Sequence, residues 1–377
     1  MESPGLLMTI FAFLAVIGPL VFVHEMGHFL VARRCGVKVE VFSIGFGPEL
    51  FGWFDKHGTR WRVAALPLGG YVKFLGDLDG GASQTDSKWV ELPAEERERS
   101  FPSKPLWQRA AIVGAGPLVN LLFACLLLAG LVYVRGEPVS PPVIGHVVEG
   151  SAAEAAGLRR GDRIISIMGR EVENFGDIAP IVSLRPGETL DYVYERDGQR
   201  QEKVIAAATR IEKDRFGNSY RIGQLGIASG PVELRPVELW RAPLIGVRSV
   251  WQITRSAFDG LGQIVTGRRP VTELGGPLKI ADVSGQAAQM GFASYVFFVA
   301  LISINLGFIN LLPIPMLDGG HLLFYALEAL RKRPVSPQVM DWAFRSGLAL
   351  LLSLMIFVTL NDLVSFGLWK SLSRLIG

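Results

Sequence analysis

The residues that most clearly could bind a metal or catalyse a reaction lie near the N-terminus, where His24, Glu25 and His28 form an H-E-x-x-H pattern. Residues four positions apart share one face of a helix, so both imidazoles can bind one Zn²⁺ ion. Glu25 would then stand beside the open position of the metal, where it can take a proton from water. The chain has only five histidines, and ionisable groups within an apolar helix are costly and usually functional. The spacing therefore predicts a catalytic zinc site.

A catalytic zinc ion normally has three protein ligands and one position open to water. The best candidate for the third ligand is Asp318, which ends a long apolar segment and should reach the same side of the membrane as the histidine pair. His321 is the competing candidate for the third ligand. The alternative interpretation of His321 is a residue at a helix start, or one that contacts a metal ligand without binding the metal. His57, in a polar loop, and His146, between the second and third apolar stretches, are poorer candidates.

The elements that carry these residues are those of a membrane protein. Only 19% of the residues are charged and the mean hydropathy is +0.33, whereas soluble domains carry about 25% charged residues. A bilayer core of about 30 Å needs about 20 helical residues, and four apolar stretches are long enough, at 6–23, 110–134, 290–317 and 346–369. We therefore expect a polytopic α-helical membrane protein with four transmembrane helices and an inserted α+β domain. No dense stripe of Lys and Arg points to a nucleic-acid partner.

The basic residues near the helix ends predict an orientation. Basic residues follow the first stretch, precede the second and follow the third, at Arg33, Arg34, Lys38, Lys104, Arg109, Arg331, Lys332 and Arg333. We expect these sites to be cytoplasmic, with the zinc site near the cytoplasmic face of an inner membrane. Both termini and the long insertion after the second helix should lie outside. Lys370 and Arg374 argue weakly the other way.

At these residues the chain resembles the site-2 protease family of intramembrane zinc metalloproteases, in particular the bacterial regulator-of-sigma-E protease branch. The resemblance rests on HEMGH at 24–28, N-x-x-P-x-P-x-L-D-G-G at 310–320, GPLVN at 116–120 and GGYVK at 69–73. It implies one zinc ion held by His24, His28 and Asp318, with Glu25 as the general base. Substrates would be cleaved within their transmembrane segments.

The resemblance also implies a set of substrate-positioning residues, namely Gly69, Gly70, Tyr71, Asn310, Pro313 and Pro315. The first three look like the family's membrane-associated β-hairpin, whose strand edge takes up an unwound substrate. An ordinary surface turn is the alternative. The side-chain amides of Asn310 and Asn120 would position the substrate or pack helices together.

The region 143–210 differs from the rest of the chain, with short strands, turns and more charge, and it resembles a PDZ domain. We predict a short helix at 151–156 that ends at Gly157, a strand at 163–168 after a turn, and a second helix within 175–184. PDZ domains bind chain ends or strands by β-augmentation, so an exposed chain end is the expected partner. A domain that has lost its peptide groove is the alternative.

The expected organisation has seven segments: a first transmembrane helix with the histidine motif (1–34), a loop with the hairpin (35–109), a second transmembrane helix (110–134), the PDZ domain (135–225), a connecting and interfacial region (226–289), a third transmembrane segment (290–333), and a fourth transmembrane helix with a tail (334–377). The family's function would be regulated intramembrane proteolysis of anti-sigma factors or other signalling proteins, and cleavage of remnant signal peptides.

Two other classes of function compete with proteolysis. A catalytically inactive membrane scaffold would use the PDZ domain to bind partners and the zinc ion as a structural element, but a structural site needs no base such as Glu25. A zinc transporter would want further ionisable residues along its helices, and the stretch 110–134 has none.

Overall fold

The computed structural model describes residues 5–77, 92–213, 219–267, 271 and 275–365. The chain forms two compact units. The first, which we call the membrane unit, consists of Met1–Leu131 and Pro243–Gly377, and the second, the inserted unit, is Val132–Ala242.

The secondary structure alternates long helices with short strands. The helices are α1 (Leu6–Arg34), α2 (Ala94–Glu98), α3 (Leu106–Arg135), α4 (Ala152–Ala155), α5 (Ile178–Ser183), α6 (Ala242–Val265), α7 (Pro277–Gln289), α8 (Phe292–Asn310), α9 (Asp318–Arg331) and α10 (Pro337–Ser365). The strands are β1 (Val39–Phe54), β2 (Arg60–Phe74), β3 (Glu137–Val139), β4 (Ile144–Val147), β5 (Arg163–Ile167), β6 (Arg170–Glu171), β7 (Thr189–Arg196), β8 (Gln199–Ala206), β9 (Ala208–Lys213), β10 (Ser219–Gln224), β11 (Ile227–Ser229) and β12 (Glu233–Arg235).

Four helices of the described chain, α1, α3, α8 and α10, are long and apolar enough to cross a membrane. This confirms the polytopic helical fold expected from the sequence. The first apolar stretch continues as one helix through the histidine motif to Arg34. The third stretch is helical only to Asn310, because the prolines at 313 and 315 cannot continue a regular helix. Part of the fourth predicted stretch, from 366 onward, lies outside the described residues.

The hairpin β1–β2 curls so that one segment of β1 pairs twice. Residues 41–44 are hydrogen-bonded to both 60–63 and 70–73 of β2. The segment 70–73 is therefore an edge strand, and no other described strand pairs with it. The buried ring of Phe42 stacks on Trp61 at 4.4 Å and meets Phe29 of α1 edge-on at 5.5 Å. These contacts fasten the hairpin to the helix that carries the histidines.

The inserted unit has an α+β fold. Its main sheet is antiparallel with the strand order β6-β5-β7-β8, and its core includes the fully buried Ile164 and Leu190. Ser151 caps α4 by accepting a hydrogen bond from the Glu154 N–H, and Gly157 ends the helix region with a φ of +72°, a conformation that favours glycine. The predicted short helix, strand and second helix are thus all present. Helix α4 and strand β5 are each slightly shorter than expected, and α5 lies within the predicted range 175–184.

Helix α6 packs one face within the membrane unit. Val250 joins a buried cluster with Ala124 of α3 and Ile304 of α8. Other large apolar side chains of the helix, including Trp240 before it and Trp251 within it, are exposed. The helix is thus amphipathic, with one side buried against two spanning helices.

Candidate metal centre

Two glycines allow α1 and α3 to approach closely beside the histidine motif. A Cβ at position 27 would lie 2.7 Å from the carbonyl oxygen of Ala115, and one at position 116 would overlap the ring of His28. No side chain larger than hydrogen fits in such spaces without displacing backbone or ring atoms. The HEMGH and GPLVN segments therefore meet face to face.

Helix α3 holds both imidazole rings on their Nδ1 sides. His28 Nδ1 lies 2.9 Å from the backbone carbonyl oxygen of Ile112, and His24 Nδ1 lies 3.1 Å from Nδ2 of Asn120. The two Nε2 atoms consequently turn toward each other and lie 3.3 Å apart. This is the arrangement in which two imidazoles can share one metal ion.

Asp318 reaches the histidine pair because a compact turn joins α8 to α9. Gly319 and Gly320 lie against backbone atoms of residues 311–315, and Met316 adopts a φ of +81°, which is uncommon for a residue with a side chain. Asp318 is the first residue of α9. Its Oδ2 atom lies 3.2 Å from Nε2 of His24 and 3.5 Å from Nε2 of His28.

The three potential ligand atoms have the spacing that a zinc ion requires. A tetrahedral site with bonds of about 2.0–2.1 Å places its ligand atoms about 3.3–3.4 Å apart, and the three observed separations are 3.2, 3.3 and 3.5 Å. Oδ2 of Asp318 is buried, yet it makes no hydrogen bond of proper geometry within the described structure. One carboxylate and two neutral imidazoles are also ligands that zinc prefers. The donor set therefore fits zinc.

Glu25 lies beside this group and is itself buried. Its side chain and the three potential ligands line the same cavity, which has a volume of about 610 Å³. Gly70 allows β2 to lie against it, since a Cβ there would be 3.0 Å from Cγ of Glu25 and 2.7 Å from the carbonyl oxygen of Ser43. The carboxylate is thus enclosed between α1 and the hairpin at the edge of the site.

Four of the six predicted substrate-positioning residues line this cavity, namely Gly69, Gly70, Tyr71 and Asn310. Pro313 and Pro315 instead lie in the turn that leads to Asp318. The structure therefore brings the hairpin and the end of α8 to the candidate metal site, whereas the two prolines belong to the turn that precedes Asp318.

Arg62 is a cavity residue that the sequence reasoning missed. Its Nε donates a hydrogen bond of 3.0 Å to Oγ of Ser43, and its guanidinium lies 5.3 Å from the centre of the Tyr71 ring. The sequence feature that could have pointed to Arg62 is its position directly before the apolar run 63–68. Only the curl of the hairpin brings it toward the cavity.

The remaining histidines lie away from the ligand group. His321 is buried, and its ring packs 4.8 Å from that of Phe344. Among the described residues, the group whose potential ligand atoms lie within 4.8 Å of one another consists of His24, His28 and Asp318. His321 does not belong to this group. His57 is exposed in the hairpin turn and His146 is exposed on β4 of the inserted unit.

Residues 12–354 match the family model described as peptidase family M50. A protein of Agrobacterium fabrum named as a zinc metalloprotease is 43% identical over 94% of this chain and 95% of its own. A protein of Mesorhizobium japonicum with the same kind of name is 44% identical, over 94% and 98%. The metalloprotease MmpA of Caulobacter vibrioides is 36% identical, over 98% and 99%. Among solved structures, the PDZ domain of an SdrC-like protein from Listeria monocytogenes is 17% identical, covers 25% of this chain and 90% of its own, and has a TM-score of 0.19.

Proposed function

The chain belongs to peptidase family M50 and is a zinc metalloprotease, and we propose that His24, His28 and Asp318 hold its catalytic zinc ion. The observation that carries this assignment is the triangle of three ligand atoms, 3.2–3.5 Å apart, beside the buried carboxylate of Glu25. Three protein ligands leave a fourth coordination position for water or substrate.

Glu25 is the proposed general base. When bound, zinc supplies a Lewis acid that acidifies water and polarises the scissile carbonyl group. Glu25 takes the proton from the attacking water and returns it to the amide nitrogen of the leaving chain. Its burial between α1 and Gly70 limits competition from bulk solvent, so the proton stays within the site. A scaffold with a structural zinc ion would have no use for this group.

The substrate is proposed to bind as an added strand on β2. A transmembrane helix hides its peptide bonds, so a substrate must be extended before it can be cut. The edge segment 70–73 of β2 lines the same cavity as Glu25, with Gly69 directly before it. An extended chain can bind to such an edge through main-chain hydrogen bonds. Asn310 offers an amide to the same substrate, while Pro313 and Pro315 act by shaping the turn before Asp318.

The proposed substrates are transmembrane segments of membrane proteins. The proposed catalytic residues lie on α1, a spanning helix, and on α9, which directly follows the turn after α8. This placement supports cleavage at membrane depth. In the cell this would be regulated intramembrane proteolysis of anti-sigma factors or other signalling proteins, and removal of remnant signal peptides.

The proposed location is the inner membrane, with the catalytic site near the cytoplasmic face and the inserted unit outside. The distribution of Lys and Arg supports this orientation. A cysteine placed at Asp197 should react with an impermeant thiol reagent in intact cells, and one placed at Lys332 should not. Labelling at position 332 and not at position 197 would show that the orientation is the reverse of the one proposed.

The inserted unit is proposed to bind an exposed chain end of a partner, as PDZ domains do, and to control which substrates enter. Replacement of residues 136–241, which lie between α3 and α6, by a flexible linker should preserve zinc binding and cleavage of a substrate with a short outer domain. It should also allow cleavage of substrates with large outer domains. A variant that folds and holds zinc but cannot cut the short substrate would contradict this gating role.

Cleavage of a reconstituted substrate tests the proposed function directly. The purified chain should cut a single-span membrane protein in lipid nanodiscs, with the cut mapped by mass spectrometry to the apolar segment. A zinc chelator should stop the reaction, and the Glu25→Gln variant should serve as the inactive background. Cuts confined to loops outside the apolar segment would contradict intramembrane cleavage.

A further inference from the structure

The side-chain amide of Asn120 lies against Nδ1 of His24, and Asn120 is completely buried. Nδ2 of Asn120 is 3.1 Å from Nδ1 of His24, and Oδ1 of Asn120 has no hydrogen-bond partner within the described structure. A buried amide oxygen without a partner is costly. The nitrogen and oxygen of a side-chain amide occupy nearly the same space, so a half-turn of the amide exchanges them.

The tautomer of His24 decides which amide atom it needs. In the proposed zinc site Nε2 of His24 faces Asp318 and His28, so its lone pair must be free for the metal. The ring proton then sits on Nδ1, which becomes a donor and requires an acceptor. If the amide turns its Oδ1 atom toward His24, it supplies that acceptor and also gives the buried oxygen a partner.

His28 provides an internal comparison, because it meets the same need with a backbone group. Its Nδ1 atom lies 2.9 Å from the carbonyl oxygen of Ile112, which can only accept. Both imidazoles are thus held from α3, one by a main-chain carbonyl and the other by a side chain. Ring orientation and tautomer in metal-binding histidines are generally fixed by such an acceptor on the second nitrogen.

We propose that Asn120 is a positioning residue of the zinc site, which accepts the Nδ1–H of His24 through its side-chain oxygen and so keeps Nε2 available to the metal. The proposal rests on the zinc assignment made above and adds to it a specific hydrogen-bond direction. Ser303 on α8 donates a 2.8 Å hydrogen bond to the backbone oxygen of Asn120, which helps hold this part of α3 in place without touching the amide.

Zinc affinity of the full-length chain in detergent, measured by competition with a chromogenic chelator, tests the proposal. Asn120→Leu keeps a similar volume but removes the acceptor, and should weaken zinc binding about 10- to 100-fold. Asn120→Asp is an acceptor only, and should bind zinc as tightly as the wild type or more tightly. Ser303→Ala is the matched control, which disturbs the same helix contact and should change the dissociation constant less than about threefold.

The aspartate variant shows whether the side chain at position 120 acts as a hydrogen-bond acceptor, as a donor or only through packing. If Asn120→Asp loses as much affinity as Asn120→Leu, or if Asn120→Leu binds zinc like the wild type, the proposal is wrong. Should Asn120→Leu fail to fold in a thermal-melting check, the aspartate variant alone decides. Wild-type protein without zinc affinity, or His24→Ala with unchanged affinity, would instead overturn the zinc assignment itself.

Discussion

One aspartate in each unit, Asp162 and Asp318, has a buried carboxylate oxygen, and the two carboxylates have opposite surroundings. Asp162 of the inserted unit accepts hydrogen bonds of 2.7 Å from Nε and from a terminal nitrogen of Arg196, and another of 2.7 Å from the Arg159 N–H. Both its oxygens are engaged. Asp318 of the membrane unit directs a buried oxygen toward two imidazole nitrogens without a proper hydrogen bond to either.

The difference shows how a buried carboxylate can be assigned a role. A carboxylate that only stabilises the fold is neutralised and hydrogen-bonded by the chain itself, because an unpaired buried charge is very costly. One that converges with other lone-pair donors and has no proton donor of its own is arranged for a cation. On this reasoning Asp162 has a structural role, and the metal-binding role proposed for Asp318 is of a different kind. Changing each residue in turn tests the distinction.

The largest effect is expected at Asp318. Zinc sites with four protein ligands bind with about 10–16 kcal/mol, so one ligand accounts for roughly 2.5–4 kcal/mol. Asp318→Ala should therefore weaken zinc binding by about 70- to 900-fold, as measured by metal analysis and chelator competition. His321→Ala, one helical turn along α9, is the matched control and should retain zinc. The reverse ranking would move the third ligand to His321.

A slightly smaller effect, on folding and not on metal, is expected at Arg196. Arg196→Ala leaves the Asp162 carboxylate buried without its cation, and should lower the unfolding free energy of the inserted unit by about 3 kcal/mol. Hydrogen exchange of β5, β7 and β8 in the full chain measures this. Arg159→Ala keeps the backbone N–H that binds Asp162 and should change stability by less than about 0.5 kcal/mol. Loss of zinc in the Arg196 variant would contradict the separation of roles.

The smallest effect is expected at Tyr192, another polar group buried in the inserted unit. Its hydroxyl has no partner in the described structure, and burial raises its pKa to about 12. The folded state therefore keeps this proton between pH 10 and pH 12 while the unfolded state releases it, so that stability is lost as the pH rises through this range.

Tyr192→Phe should accordingly stabilise the inserted unit by about 1 kcal/mol at neutral pH. Its advantage over the wild type should grow by about 2 kcal/mol as the pH rises from 10 to 12. Tyr194, whose hydroxyl donates a 2.8 Å hydrogen bond to Gln201, is the matched control, and Tyr194→Phe should be destabilising at neutral pH. Equal effects of both substitutions in hydrogen exchange would argue against an unpaired hydroxyl at Tyr192.

The sequence predicted those parts of the site that depend on local periodicity. His24, Glu25 and His28 occupy one stretch of one helix, so that their shared face follows from helix geometry alone. The end of the third apolar stretch was also predictable, since Pro313 and Pro315 exclude a regular helix. The short strands and helices of the inserted unit were marked by glycines such as Gly157.

The parts that the sequence left open depend on how distant elements pack. The choice between Asp318 and His321 is decided by the turn before α9, whose path relies on close contacts of Gly319 and Gly320. The place of Asn120 beside His24 follows from the glycine contacts between α1 and α3. Arg62 enters the cavity only because β1 pairs with two segments of β2. None of these arrangements has a periodicity that could be read along the chain.

The most direct test of the central claim is a paired measurement on Glu25→Gln. The three ligand atoms belong to other residues, so the purified variant should retain about one zinc ion per chain. Because the base is gone, cleavage of the membrane substrate should fall by about 100- to 10,000-fold. Loss of zinc from this variant, or cleavage at the wild-type rate, would contradict the account in which Glu25 moves the proton and His24, His28 and Asp318 hold the metal.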